Sequence, residues 1–254
     1  TPLLEINIFR NEAPAVRIFA KGEFANPGGS VKDRPAYQMV KQAISDSIFD
    51  PAKMTLIDAT SGNTGIAYAM IGAVLSFSVL IFIPQNASKE RKKILRAFGA
   101  KLIETDPLQG SDGAILKVRE FYKKNSENYF YPDQYSNENN WKAHFERTGP
   151  EIWNQTFGSL THFVTGLGTT GSFVGIGRFL REQNPKIKLI SMEPDSPLHG
   201  LEGLKHLGSS LVPGIYEDIA DEKIYVNTEK AQNMVLRIAK EEGLLIGPSG
   251  GANL

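Results

Sequence analysis

Short apolar runs alternate with helix-like stretches along most of the chain, and this alternation constrains the fold more than any other feature. The runs interpreted as strands are Thr55–Thr60, Ser78–Pro84, Lys101–Thr105, Thr161–Thr165 and Lys188–Pro194. The stretches predicted as helices are Gly65–Leu75, Ser88–Phe98, Asp112–Lys124, one that runs through Arg181, and Thr228–Glu242. Repeated strand, turn and helix is typical of parallel sheets with helical crossover connections, so an α/β fold is predicted.

Composition limits the classes of partner and location. The chain has 254 residues, 41% of them hydrophobic, which is enough for one large domain or two modest ones. Its 28 basic and 28 acidic residues balance, so no nucleic acid or membrane partner is expected. The apolar run from Ile66 to Ile83 contains Gly72 and Ser76, and it is interpreted as a helix and a strand instead of a membrane span. The sequence has no cysteine, which excludes disulfides and makes a cytoplasmic location the expectation.

Three turns rich in Gly, Ser and Thr are expected to follow strands: Ser61–Gly65, Gly166–Ser172 and Gly247–Gly251. In open parallel sheets, ligands bind at the carboxyl ends of the strands, where helix N-termini direct backbone N–H groups at anions. Three such turns indicate a ligand with several polar ends.

The second turn contains the dinucleotide-binding pattern G-x-G-x-x-G, formed by Gly166, Gly168 and Gly171. Glu193 ends the next predicted strand about 20 residues further on, where a ribose-binding acid is expected. This NAD(P) hypothesis leaves the other two turns and the stretch around Lys32 without a role. Hydroxyl side chains at a helix start also suit a phosphate monoester, and the turn supplies Thr169, Thr170 and Ser172.

A stretch near the start of the chain, "NPGGSVKDRPA" (Asn26–Ala36), provides a stronger indication. It closely resembles the Schiff-base segment of the cysteine synthase and cystathionine β-synthase family of pyridoxal phosphate enzymes (fold type II). The turns "TSGNTGIAYA", "GLGTTGS" and "GPSGGAN" and the segment "KAHFERTGPEIW" are similar to further motifs of that family. They occur in the family's order and span nearly the whole chain.

The resemblance implies a fold and a domain division. We expect two three-layer αβα domains with mainly parallel twisted sheets, as in the tryptophan synthase β-like fold type II. Residues 34–138 would form a smaller mobile domain with the substrate carboxylate loop. Residues 1–33 and 139–254 would form a larger cofactor-binding domain.

The resemblance also assigns the cofactor site. Lys32 would carry pyridoxal 5'-phosphate as an imine and then act as base for the α-proton of the substrate. Asn63 would hydrogen-bond the ring oxygen of the cofactor, and Ser249 would face its pyridine nitrogen. The residues expected to surround the phosphate are Gly168, Thr169, Thr170, Gly171 and Ser172. The family usually has glycine where Thr170 stands.

The same resemblance assigns the substrate site. The loop expected to bind the substrate carboxylate consists of Thr60, Ser61, Gly62, Asn63 and Thr64. Gln134 would also contribute to binding the substrate carboxylate. Lys205 occupies a position where related enzymes that use O-phosphoserine have a basic residue, so it is a candidate for selecting an anionic leaving group; a solvated lysine on a helix is the alternative. His199 and His206 have no partner at metal-ligand spacing, and no metal is expected.

The reaction implied is β-replacement on an O-activated L-serine, either O-acetylserine or O-phosphoserine, with sulfide to give L-cysteine. Cystathionine β-synthase-type condensation of serine with homocysteine remains an alternative. A non-catalytic relative that binds an amino acid or a peptide is a second one, although such a binder needs no imine lysine. The expected partners are a small amino-acid substrate, a sulfur donor and a second copy of the chain in a homodimer.

Overall fold

The chain forms two compact units. The computed structural model describes residues 1–60 and 62–254. The first unit consists of Thr1–Ala25 and Trp141–Leu254, and the second unit consists of Asn26–Asn140. Lys32 therefore belongs to the second unit, whereas the division expected from the sequence assigns residues 1–33 to the larger domain.

Strands and helices alternate as the sequence predicts. Within the described residues the strands are β1 (Leu3–Ile6), β2 (Ile18–Lys21), β3 (Thr55–Ala59), β4 (Val79–Pro84), β5 (Lys101–Thr105), β6 (Tyr129–Phe130), β7 (His162–Gly166), β8 (Lys188–Pro194) and β9 (Glu222–Val226). The α-helices in the same residues are α1 (Asp33–Ser45), α2 (Asn63–Leu75), α3 (Lys89–Ala97), α4 (Gly110–Asn125), α5 (Glu138–Ala143), α6 (Gly149–Gln155), α7 (Gly171–Gln183), α8 (Thr228–Glu242) and α9 (Pro248–Asn253). A π-helical turn, His144–Thr148, joins α5 and α6.

The second unit has three layers around a parallel sheet in the order β5-β4-β3-β6. Successive strand residues point to opposite faces, so each strand supplies two cores. Leu56 and Ile81 pack into a cluster with residues of α1 and α2. Ile57 and Phe82 pack into another cluster with α4. Both faces of the sheet are thus covered, as parallel sheets require.

The first unit repeats this arrangement with the parallel sheet β7-β8-β9. Leu189 of β8 packs into a cluster with residues of α6 and α7. Met192 of the same strand packs into a second cluster with Ala231 of α8 and Ala252 of α9. The antiparallel pair β1-β2 is added to this unit. The predicted α/β class and the parallel sheets are confirmed.

Two local predictions differ from the structure. The sequence indicated a place for Lys32 just inside a helix start, whereas Lys32 is the N-cap residue of α1, one position before the helix. The apolar run that ends at Gly247 forms no strand, although the sequence suggested one before the third turn, and α9 begins directly after it. In residues 1–60 and 62–254, no helix is both long enough and apolar enough to span a membrane.

Candidate active site

The loop before α1 holds Lys32 at a helix N-terminus. Gly29 has φ +81°, a conformation that glycine adopts without strain. The backbone N–H of Gly28 donates to Asp33 Oδ2 at 2.5 Å, and a side chain at Gly28 would collide with this carboxylate. The Lys32 N–H donates to Ser30 Oγ at 3.2 Å. The glycines therefore fold the loop back onto α1 and leave Lys32 half-buried at the N-cap of this helix.

The predicted carboxylate loop lies in the second unit between β3 and α2. Thr60 is buried, and its Oγ1 accepts the N–H of Gly62 at 3.1 Å. Gly62 has φ +151°, and a side chain there would collide with Arg91. Asn63 is exposed and begins α2. Ser61, which the sequence also assigned to this loop, lies outside the described residues.

Gln134 contacts both ends of this loop. Its Oε1 accepts the hydroxyl of Thr64 at 2.8 Å, and its Nε2 donates to the carbonyl oxygen of Ala59 at 2.8 Å. Gln134 is 2% exposed, so these bonds are shielded from water. The structure therefore holds Gln134 against Thr64 and Ala59, on either side of Thr60 and Gly62. The substrate-binding role of these residues stays a prediction.

Sequence reasoning did not single out Asp58, a fully buried carboxyl at the end of β3. Its Oδ1 accepts the Ala59 N–H at 2.7 Å. Burial raises the pKa of Asp58 to about 8; the Ala59 N–H opposes this rise, and the charge of Asp133 adds to it. Burial also raises the pKa of the neighbouring Tyr68 hydroxyl. The feature of the sequence that could have identified Asp58 is its place as an acidic residue within the otherwise apolar run of β3.

The glycine-rich loop of the first unit connects β7 to α7. A side chain at Gly168 would collide with the carbonyl oxygen of Gly203, so only glycine fits there. Thr170 adopts the left-handed region with φ +70°, and its Oγ1 is buried without a hydrogen-bond partner in the described part of the chain. Gly171 and Ser172 form the first turn of α7, whose backbone N–H groups have no acceptor within the helix.

The segment that contains Lys205 packs against this loop and is called the covering segment. The Lys205 N–H donates to the Leu167 carbonyl oxygen at 2.7 Å, and Lys205 is 5% exposed. It lies outside any helix, so the alternative of a solvated helical lysine is wrong. The Leu207 N–H donates to Glu193 Oε2 at 2.7 Å. Glu193, the candidate ribose acid, is buried and holds this covering segment.

Ser249 lies in the first turn of α9, two positions after the N-cap residue Gly247. It is half-buried. A side chain at Gly251 would collide with the Ala231 carbonyl oxygen, so glycine lets α9 approach α8 closely. Among residues 1–60 and 62–254, no group of three or more His, Asp or Glu is arranged to hold a metal ion.

These features define an α/β protein with a candidate phosphate site. The glycine loop offers first-turn N–H groups, the hydroxyl of Ser172, a buried Thr170 hydroxyl that needs an acceptor, and a position at Gly168 with no room for a side chain. This donor set fits a phosphate group.

Comparison with known proteins defines the family. The model of the family described as "Pyridoxal-phosphate dependent enzyme" matches residues 1–254, and the chain belongs to this family. Pyridoxal 5'-phosphate is therefore its cofactor, and the NAD(P) hypothesis is not supported.

Named relatives are similar over most of the chain. A cysteine synthase of Aquifex aeolicus is 54% identical over 240 residues, which cover 94% of this chain and 73% of the relative. The crystal structure of a cysteine synthase from Entamoeba histolytica has a TM-score of 0.90 and 38% identity, covering 99% of this chain and 77% of that one. An O-acetylserine-dependent cystathionine β-synthase from Helicobacter pylori has a TM-score of 0.90 and 33% identity, covering 100% of this chain and 84% of its own. The fold type II assignment is confirmed.

Proposed function

We propose that this protein is a cysteine synthase that forms L-cysteine from O-acetylserine and sulfide. The observation that carries the proposal is the 54% identity to a cysteine synthase across 94% of the chain. Lys32 at a helix start and the loop closed by Gln134 support the same activity, because a β-replacement enzyme needs both an amine and a carboxylate site.

The residues of the chain divide the work of holding the cofactor. Lys32 holds it covalently through Nζ, and the residues Gly168, Thr169, Thr170, Gly171 and Ser172 bind its phosphate. Asn63 hydrogen-bonds the ring oxygen. Ser249 offers a neutral hydroxyl to the ring nitrogen. When bound, pyridoxal phosphate supplies an electron sink for charge that develops at the substrate α-carbon.

The substrate is oriented by its carboxylate. The turn from Thr60 to Thr64 lies at the N-terminus of α2, where N–H groups and hydroxyls suit an anion. Gln134 also binds the substrate carboxylate. It fixes the loop as well, because its side-chain amide is hydrogen-bonded to Thr64 and Ala59. Lys32 Nζ, freed when the substrate amine takes its place, then takes the proton from the α-carbon. Ser249, as a neutral partner, favours loss of a β-substituent over transamination.

Lys205 is the candidate determinant of the leaving group. Its burial beside Leu167, which directly precedes Gly168 in the phosphate loop, supports a role near an anion. An O-phosphoserine-using enzyme would depend on this charge more than an O-acetylserine-using one. O-Phosphoserine is retained as the alternative substrate for the same β-replacement reaction.

The experiment that tests the proposal is a comparison of kcat/KM for O-acetylserine, O-phosphoserine and serine, each with sulfide and with homocysteine. We expect O-acetylserine with sulfide to be the best pair. A Lys205→Met variant should lose activity on O-phosphoserine selectively. If homocysteine is preferred over sulfide, the condensing activity named for the Helicobacter pylori neighbour applies instead. If none of the pairs reacts although the cofactor is bound, the non-catalytic alternative replaces the proposal.

A homodimer and a cytoplasmic location complete the proposal. The absence of cysteine is consistent with a reducing compartment. Light scattering coupled to size-exclusion chromatography measures the oligomeric state, and fractionation of the source cells measures the location.

A further inference from the structure

A buried histidine lies against the glycine loop of the first unit. His144 opens the π-helical turn between α5 and α6 and is 1% exposed. Gly175 of α7 permits this approach, because a side chain there would collide with the Trp141 carbonyl oxygen and lie 2.8 Å from His144 Cβ. The turn was not predicted from the sequence, since a single π-helical turn has no periodic pattern.

Both ring nitrogens of His144 lie within hydrogen-bond distance of a hydroxyl. Nδ1 is 3.0 Å from Thr148 Oγ1, and Nε2 is 3.2 Å from Ser172 Oγ. A neutral imidazole has one N–H and one acceptor nitrogen, so two proton arrangements satisfy both contacts. In the first, Nε2–H donates to Ser172 and the Thr148 hydroxyl donates to Nδ1. In the second, both bonds run in the opposite direction.

Only the first arrangement leaves the hydroxyl hydrogen of Ser172 for a ligand. A phosphate dianion presents acceptors only, and hydrogen bonds to an ionised acceptor are stronger than those between neutral groups. Thr170 supplies an independent sign of such an acceptor, because its buried Oγ1 has no partner in the described part of the chain. The loop thus contains two hydroxyls that an anion would engage.

We propose that His144 is a positioning residue for the cofactor phosphate. Its Nε2–H holds Ser172 Oγ, so that the Ser172 hydroxyl donates to the phosphate, and the Thr148 hydroxyl donates to Nδ1 in this arrangement. The inference rests on the proposed function, in which Ser172 binds the phosphate. Because His144 acts through Ser172, its loss weakens retention of the cofactor.

Two substitutions at His144 separate the donor from the bulk of the ring. A glutamine amide reaches about as far as Nε2 and keeps a donor, whereas an asparagine amide lies nearer the position of Nδ1. The dissociation constant of pyridoxal phosphate is measured by fluorescence titration of apoprotein, and the 31P resonance of the bound phosphate reports its hydrogen bonds. We expect His144→Asn to weaken binding about tenfold, as for loss of one hydrogen bond to a charged group, and to shift the resonance. His144→Gln should retain most of both properties.

A double-mutant cycle with Ser172→Ala tests whether His144 acts through Ser172. We expect Ser172→Ala to weaken binding and His144→Asn to add little in the Ser172→Ala background. An equal loss in both backgrounds would show a merely structural role and overturn the inference. If Ser172→Ala weakens binding but His144→Asn does not, the inference alone fails. If Ser172→Ala changes neither readout, the phosphate-loop assignment fails and the inference fails with it.

Thr148→Val provides a second variant that leaves the ring in place. It removes the hydroxyl that donates to Nδ1, so this hydrogen bond no longer supports the Nε2–H arrangement. We expect the 31P resonance to move in the same direction as in His144→Asn, with a smaller loss of affinity. An unchanged resonance and affinity would overturn the contribution assigned to Thr148, and this result is obtainable even if the histidine variants fail to fold.

Discussion

Thr170 combines two local costs that a bound phosphate would offset. Its left-handed backbone disfavours a β-branched residue by roughly 1 kcal/mol or more, and its buried hydroxyl has no partner in residues 1–60 and 62–254. Resemblance to the family suggested glycine here, and the positive φ explains that preference. Thr170 therefore lowers the stability of the protein without ligand, and it raises the affinity for a ligand that accepts its hydroxyl.

We predict that Thr170→Gly stabilises the apoprotein by about 1 kcal/mol, because it removes both costs and adds only the backbone entropy of glycine. With pyridoxal phosphate bound, the gain should shrink or reverse, because the hydroxyl that reaches the phosphate is lost. Thermal unfolding of apoprotein and loaded protein measures both effects.

Thr169→Gly is the matched control, because Thr169 is absent from the residues with positive φ. It should destabilise the apoprotein, since glycine there relieves no strain. A Thr170→Gly apoprotein that is less stable than the parent would show that the left-handed conformation costs little.

At the scale of the element, β3 contains a carboxyl group that binds a proton, Asp58, one residue before the end of the strand. Asp58 is fully buried, and its pKa is raised from 3.8 to about 8 by burial. The native state therefore keeps a proton on this group that the unfolded chain loses above about pH 4. Its contribution to stability is fully present below pH 3.8 and is lost as the pH rises through 8.

We predict that Asp58→Asn, which is neutral at every pH, lacks this dependence. Relative to the variant, the parent should lose stability between pH 4 and 8 by up to about 1.4 kcal/mol per pH unit. The urea midpoint of both proteins across this range measures the difference, in which the other titrating groups cancel.

Asp50→Asn is a control of opposite sign. The Lys53 side chain and the Ala52 N–H lower the pKa of Asp50, so its contribution is lost as the pH falls. Parallel pH profiles for Asp58→Asn and the parent would mean that Asp58 is ionised in the native protein, against the expected effect of its burial.

At the scale of the molecule, the sequence predicted what periodicity and turn chemistry encode. The bounds of β5, β8 and α8 coincide with the predicted ones, because apolar alternation and flanking polar residues mark them. The pair β1-β2 and the two-residue β6 were not predicted, since such short strands have no pattern of their own. The Leu244–Gly247 run has strand-like composition but is paired with no strand in the described chain.

The site was predictable to the same extent. Motifs single out Lys32, the turn after β3 and the glycine loop before α7, because glycine positions and hydroxyls are local features. The roles assigned to these residues stay predictions. The contacts of His144 with Ser172 and of Lys205 with Leu167 join segments that are distant in sequence, and only folding creates them. Burial of Asp58 likewise depends on the helices packed on both faces of its sheet.

Cofactor binding should change the stability of the whole molecule, and the aldehyde group allows the role of Lys32 to be isolated. A ligand at 100 times its dissociation constant stabilises the folded state by about 2.7 kcal/mol. Pyridoxine 5'-phosphate has the same phosphate and ring but an alcohol in place of the aldehyde, so it cannot join an amine. We predict that pyridoxal phosphate raises the thermal midpoint of the parent apoprotein more than pyridoxine phosphate does.

In Lys32→Ala both ligands should raise the thermal midpoint equally, because only binding at the phosphate loop and ring remains. Lys41→Ala, which removes an exposed lysine of α1, should behave as the parent does. A Lys32→Ala protein that still distinguishes the aldehyde from the alcohol would place the covalent attachment on another lysine.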